Sequence, residues 1–217
     1  MKRKFPKKVA TREEAGAIIE SCERLRDRLI ISLMAKIGLR VGSVIYMEYQ
    51  DVDMKRGMIR IIGDKGTRSR TPEYRQAKEL WKKEKNPIVK QQLKRKFLDM
   101  RRETGVDRTV AMHPDVHKLF AMYLAETGKL RPNELLFDMT IQNVHHILKR
   151  VCNKIGIKKR NPHSFRHCFG TCADEDGWKL TEIQAQMGHK DITTTTMYLK
   201  YTGTEVKKAM EKNPLDI

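Results

Sequence analysis

Near its end the chain reads GHKDITTTTMYLKY, residues 188–201, with one histidine, four consecutive threonines and tyrosines at 198 and 201. A tyrosine phenol has a pKa of about 10 and is inert without help; arginines nearby favour the phenolate, and a histidine can accept its proton. Such helpers stand elsewhere in the sequence. His163-Ser-Phe-Arg166 follows Asn161-Pro162, and residues i and i+3 share a helix face, so the imidazole and guanidinium can converge on one phosphate. In Gly38-Leu39-Arg40 a glycine ends an apolar run and leaves Arg40 at the rim of the core. Gly188-His189 is a second helix stop that can aim His189 at the same point. Two arginines suit a pentacoordinate phosphate, because each stays charged and offers paired, planar N–H donors where charge builds up. Lys65, between glycines in IIGDKGTRSR, can protonate a departing 5′ oxygen, which is a poor leaving group as an alkoxide. The chemistry these residues fit is attack by a tyrosine, Tyr198 or Tyr201, on a phosphodiester.

The elements that must position them are mostly helical. Thr11 with Glu14 forms a capping box for a helix through Ile18, Ile19 and Cys22. RDRLIISLMAKIG gives a second helix with Leu29, Ile30, Leu33, Met34 and Ile37 on its apolar face and Gly38 as its stop. Three pieces read as strands: VIYMEYQ (44–50), MIRII (58–62) and TVAM (109–112), the first two joined by a turn at DMKRG. Between the second and third lies a charged segment, 72–107, with helical spacing of Trp81, Ile88, Leu93, Phe97 and Met100. Within 72–104 eleven basic residues oppose five acidic ones, a net of +6. The spacing predicts further helices in HPDVHKLFAMYLAETG, TIQNVHHILKRVCNKIG, NPHSFRHCFGTCADEDG and TEIQAQMG. Thr181 is the expected cap of the last and Gly188 its stop. The fold class is α+β, mainly α, with a small three-stranded antiparallel sheet.

Composition narrows the partner. In 217 residues, 45 Lys+Arg stand against 27 Asp+Glu, a formal net charge of +18. The excess is one-sided, whereas surface ion-pair enrichment raises both signs, so a polyanion is the expected partner and nucleic acid the commonest one. No apolar run approaches a membrane span of about 20 residues, and the opening MKRKFPKKVA lacks the apolar segment of a secretory signal. Cys22, Cys152, Cys168 and Cys172 are too few for a disulfide framework, which points to a reducing compartment. His167, Cys168 and Cys172 invite a zinc reading, but with His163 they lie on one short helix, which cannot wrap a tetrahedral ion by itself. Asp51 and Asp53 read as a turn feature rather than a two-metal nuclease site.

The set GLRVGSV, GDKG, NPHSFRHCFGT and MGHKDITTTTMY resembles the tyrosine recombinase (phage integrase) family, whose members share Arg, Lys, His-x-x-Arg, His and Tyr in this order. The resemblance runs from the Thr11 capping box to Tyr201 and so covers nearly the whole chain. It implies that Arg40 and Arg166 clamp the phosphate, that Lys65 is the acid, and that His163 and His189 assist proton transfer and positioning. The family pattern places the nucleophile nine residues after that last histidine, which selects Tyr198 over Tyr201. Implied with it are site-specific strand cleavage and rejoining through a 3′-phosphotyrosine, without ATP, metal or other cofactor. Double-stranded DNA is the implied partner, with self-association as a dimer or tetramer on it, in the cytoplasm. The tail 203–217 corresponds to a segment that docks on a neighbouring subunit in relatives.

Residues 1–217 are then one catalytic domain, with 72–107 a basic helical insertion in the β-hairpin and no N-terminal core-binding domain. Ser43 stands where family members often carry Glu. Two rivals keep the fold and change the function. A topoisomerase IB-like nicking–closing protein rejoins the same strand, and a non-catalytic DNA-binding module forms no covalent adduct.

Overall fold

A computed structural model of the chain describes residues 9–62, 72–103, 108–128 and 131–188. Its first helix, α1 (Arg12–Glu20), opens on the capping box: the Glu14 amide donates to Thr11 Oγ1 at 3.2 Å and the Thr11 amide to Glu14 Oε2 at 3.1 Å. α2 (Leu25–Lys36) is the central helix. Leu29, Ile30, Ile31, Leu33 and Met34 are all fully buried, a near-continuous run that suits a helix covered on most sides. It packs between α6 (Pro114–Thr127) and α8 (Pro162–Glu175). Asn161 caps α8 by accepting from the Ser164 amide at 3.0 Å, and Pro162 occupies the first turn, where its missing N–H costs nothing.

The sheet has the order β1-β2-β3 and is antiparallel throughout. The strands are β1 (Val52–Asp53), β2 (Met58–Ile61) and β3 (Arg108–Ala111). Val52 pairs with Ile59, and Ile61 with Arg108. The first strand is displaced from the sequence reading: Val44 and Ile45 belong to α3 (Val41–Ile45), and a 3-10 turn at Tyr49–Asp51 precedes β1. The β-branched residues there are buried as one turn of helix packed against α7 (Ile141–Lys154), so tertiary packing outweighs β propensity.

Between β2 and β3 stand α4 (Pro72–Lys83) and α5 (Pro87–Glu103), packed on each other. Their apolar contact is aromatic: Trp81 stacks on Phe97 at 5.3 Å, Tyr74 lies 5.0 Å from Phe97, and Tyr46 of the body meets Phe97 edge-on at 5.5 Å. Ile88, expected on that face, is instead 68% exposed. Charge fastens α5 to the body. Glu48, buried to 1% exposure, accepts from Arg102 Nε at 2.7 Å and Arg95 Nη1 at 3.1 Å, and Asp51 accepts from Arg102 Nη2 at 2.7 Å.

α9 (Leu180–Met187) follows α8 and ends at Gly188, whose φ of 66° is left-handed. Its N-cap is Lys179 rather than Thr181, with Glu182 reaching back to the Lys179 amide at 2.8 Å. Among the described residues no helix is long and apolar enough to cross a membrane.

Candidate active site

Three of the six residues singled out by sequence lie in the described structure: Arg40, His163 and Arg166. Lys65, His189 and Tyr198, like Tyr201, lie outside the described residues. Arg40 is half-buried at the N-terminal end of α3, two residues beyond the Gly38 stop of α2. Gly38 has φ 76°, and a Cβ there would stand 2.6 Å from Cδ1 of Phe169. Glycine therefore serves twice at this turn: it adopts a left-handed backbone and lets α8 pack close against it.

Arg166 is the centre of the arrangement and is nearly sealed, at 4% exposure. Its Nη1 donates to the Gly38 carbonyl at 2.5 Å and its Nη2 to the Met187 carbonyl at 2.7 Å. One guanidinium thus ties the turn that leads to Arg40 to the helix end that leads to His189. His163, on the same face three residues earlier, is exposed. The spacing predicts two side chains that can converge on one phosphate; in the structure His163 is exposed and Arg166 is built into a joint between helices.

The neighbours of this pair are not ordinary in charge. His167 is half-buried, and burial, reinforced by the nearby positive charges of His163 and Arg166, holds its pKa below the usual value. Cys168 and Cys172 face each other with sulfurs 3.8 Å apart. That hydrogen bond, aided by Arg12 against the opposing effect of burial, lowers the Cys172 thiol to about 7 and raises that of Cys168. Both line a cavity of about 560 Å³ with Ile19, Phe169 and Trp178. Among the described residues no group of three or more His, Cys, Asp and Glu could hold a metal ion.

Arg108 and Gln186 carry contacts at this joint that no motif announces. Arg108 binds carbonyls at the end of α9, and Gln186 bridges that end to β3 and α2. In sequence each is one polar residue among many, and only the packing of β3 against α9 singles them out.

The sequence matches the phage integrase family over residues 8–204, a span that begins before α1 and runs past the end of α9. The chain belongs to the phage integrase family. It is 31% identical over 213 residues to tyrosine recombinase XerA of Thermococcus kodakarensis, covering 96% of this chain and 63% of that protein. The XerA of Pyrococcus furiosus is 30% identical, with 96% and 64% covered. The chain therefore spans a little under two thirds of the length of these relatives. Solved structures agree in fold. A crystal structure of XerA recombinase superposes with a TM-score of 0.66 at 21% identity, over 99% of this chain and 68% of that one. The catalytic domain of bacteriophage HP1 integrase gives 0.58 at 18% identity and covers 95% and 96% of the two chains. XerH bound to its difH substrate, before cleavage, gives 0.63 at 18% identity, over 97% of this chain and 55% of that one.

Proposed function

We propose that residues 1–217 form the catalytic domain of a site-specific tyrosine recombinase that breaks and rejoins double-stranded DNA. The observation that carries this reading is the joint made by Arg166, which brings the Arg40 turn and the exit toward His189 to one buried guanidinium. In a member of this family, with the Arg, Lys, His-x-x-Arg, His and Tyr set in order, that convergence has a direct chemical use.

The phenolic oxygen of Tyr198 attacks the scissile phosphorus as the P–O5′ bond breaks. The phenol proton passes toward His189 or His163, and the electron pair leaves with the 5′ oxygen, which takes a proton from Lys65. The products are a 3′-phosphotyrosine and a free 5′-hydroxyl. Arg40 and Arg166 stabilise the charge on the non-bridging oxygens as it grows. Because the ester conserves the bond energy, a second 5′-hydroxyl reverses the step without ATP. The two histidines, two arginines, the lysine and the tyrosine need no metal or cofactor for this.

The DNA partner follows from charge. The net charge of +18 suits a polyanion. On α4 and α5, Arg75, Lys82, Lys83, Lys90 and Lys96 are exposed and offer phosphate contacts. Copies of the chain associate on DNA, and a partner's strand receives the cleaved end.

The test is a nicked duplex from which the cleaved 5′-hydroxyl fragment diffuses away. The parent chain accumulates a covalent protein–DNA complex on denaturing gels, and Arg40→Ala lowers its yield at least about a hundredfold. A parent chain that binds the duplex and yields no such complex contradicts the reading in favour of a binding module.

A further inference from the structure

Arg108 opens β3 within DRTVAM and looks like any other of the chain's 45 basic residues. Its guanidinium lies against the end of α9. Nη1 donates to the Gln186 carbonyl at 2.5 Å and reaches that of Ala185 at 3.4 Å, while Nη2 donates to the Met187 carbonyl at 3.0 Å. These are last-turn carbonyls, which have no amide partner further along the helix. The Gly188 amide goes to Gln184, at 2.7 Å. A cation at this position also complements the negative end of the helix dipole.

Gln186 closes the joint from its own side. Its Oε1 accepts from the Ala111 amide at 3.3 Å, and its Nε2 donates to the carbonyls of Ala111 at 3.0 Å and Ile37 at 3.5 Å. The edge of β3 and the end of α2 are thereby fixed to the same helix turn. Gly188 completes it: a Cβ there would lie 2.2 Å from Arg108 Nε. Arg108 fills the space in which any side chain at 188 would stand.

We propose that Arg108 is a positioning residue, which through the end of α9 sets where the chain beyond Gly188, starting with His189, stands relative to Arg166. The Met187 carbonyl receives both Arg108 and Arg166, so the two guanidinium groups fix the last turn from opposite elements, β3 and α8. Arg108 also pairs across the sheet with Ile61, the last residue of β2, and the connection that carries Lys65 begins just beyond. The effect on rate rests on the function proposed above; the effect on the joint does not. A misplacement of about 1 Å costs a reacting group on the order of a hundredfold in rate. Lysine at 108 keeps the charge and loses the planar fork that spans three carbonyls.

Arg108→Lys and Arg108→Ala in the full chain test this with two readouts. Hydrogen exchange reads the joint without reference to activity: amides 184–188 exchange at least about tenfold faster in both variants, while those of α2 and α7 keep parental rates. Single-turnover adduct formation on the nicked duplex slows at least about tenfold, less for lysine than for alanine, with DNA affinity held within about twofold at the same salt. If Arg108→Ala does not fold, Arg108→Lys carries both readouts. Parental exchange at 184–188 in a folded variant overturns the joint. A parental adduct rate, or a loss of rate matched by an equal loss of affinity, overturns the positioning role. Absence of adduct from the parent contradicts the proposed function instead, and the exchange measurement still decides whether Arg108 holds the turn.

Discussion

The Arg166 guanidinium on α8 donates to the Gly38 carbonyl at the end of α2, 2.5 Å away and 128 residues apart in sequence. A side chain read from its motif as a phosphate ligand is therefore also a brace between two helix ends. Arg166→Lys separates the two duties, since one ammonium cannot reach the Gly38 and Met187 carbonyls as the fork does. Urea unfolding of this variant shows a loss of about 1–3 kcal/mol, the cost of leaving a buried carbonyl without its partner. Unchanged stability assigns the brace to other contacts.

Two glycine substitutions move stability in opposite directions. Gly38→Ala forces a left-handed residue and sets a Cβ 2.6 Å from Phe169, costing about 1–3 kcal/mol. Gly16 lies inside α1 with nothing within 4 Å of an added Cβ, so Gly16→Ala raises stability by about 0.5–1 kcal/mol. Thermal melts of the pair check both signs.

The insertion helices depend on a buried charge cluster. Arg102→Ala leaves Glu48 and Asp51, at 1% and 4% exposure, without their shared cation. Removing one partner of a buried ion pair costs about 3–5 kcal/mol. Trp81, stacked on Phe97, reports the event: its fluorescence changes at lower urea in Arg102→Ala than in the parent. Coincident transitions in the two proteins contradict the cluster's role.

Much of this architecture was legible in the sequence, because periodicity and capping are local. Thr11 with Glu14, Pro162 after Asn161 and the glycine stops at 38 and 188 mark helix ends through contacts within a few residues. The strand expected at Val44 was not legible, since burial against α7 decides that turn and no neighbouring residue signals it. The motif order names Arg40, His163 and Arg166 as site residues, but the burial of Arg166 and the exposure of His163 follow from how α8 lies between α2 and α9. Arg108 and the Arg102–Glu48–Asp51 cluster were illegible for a related reason. Each pairs residues tens of positions apart in a chain with 45 basic side chains, so charge alone could not choose among them.

His167 gives stability a pH dependence of known sign. Its folded pKa lies below the ordinary 6.5, so in that window the unfolded chain binds the extra proton and stability rises with pH. The contribution is complete above about 6.5 and is lost as pH falls toward the depressed value. His167→Gln removes it: urea midpoints of the parent fall more between pH 7 and pH 5 than those of the variant. An equal fall in both proteins contradicts this assignment. His163 and Arg166, whose charges oppose the proton on His167, remain in both proteins.

If one tyrosine becomes joined to DNA, the position of that bond identifies it. Parent, Tyr198→Phe and Tyr201→Phe chains are incubated with the nicked duplex, the covalent complexes are resolved on denaturing gels, and the peptide that carries the nucleotide is identified by mass. Attack by Tyr198 gives adduct in the parent and in Tyr201→Phe, none in Tyr198→Phe, and the nucleotide on Tyr198. Adduct from Tyr198→Phe, or its loss in Tyr201→Phe alone, contradicts Tyr198 as the nucleophile.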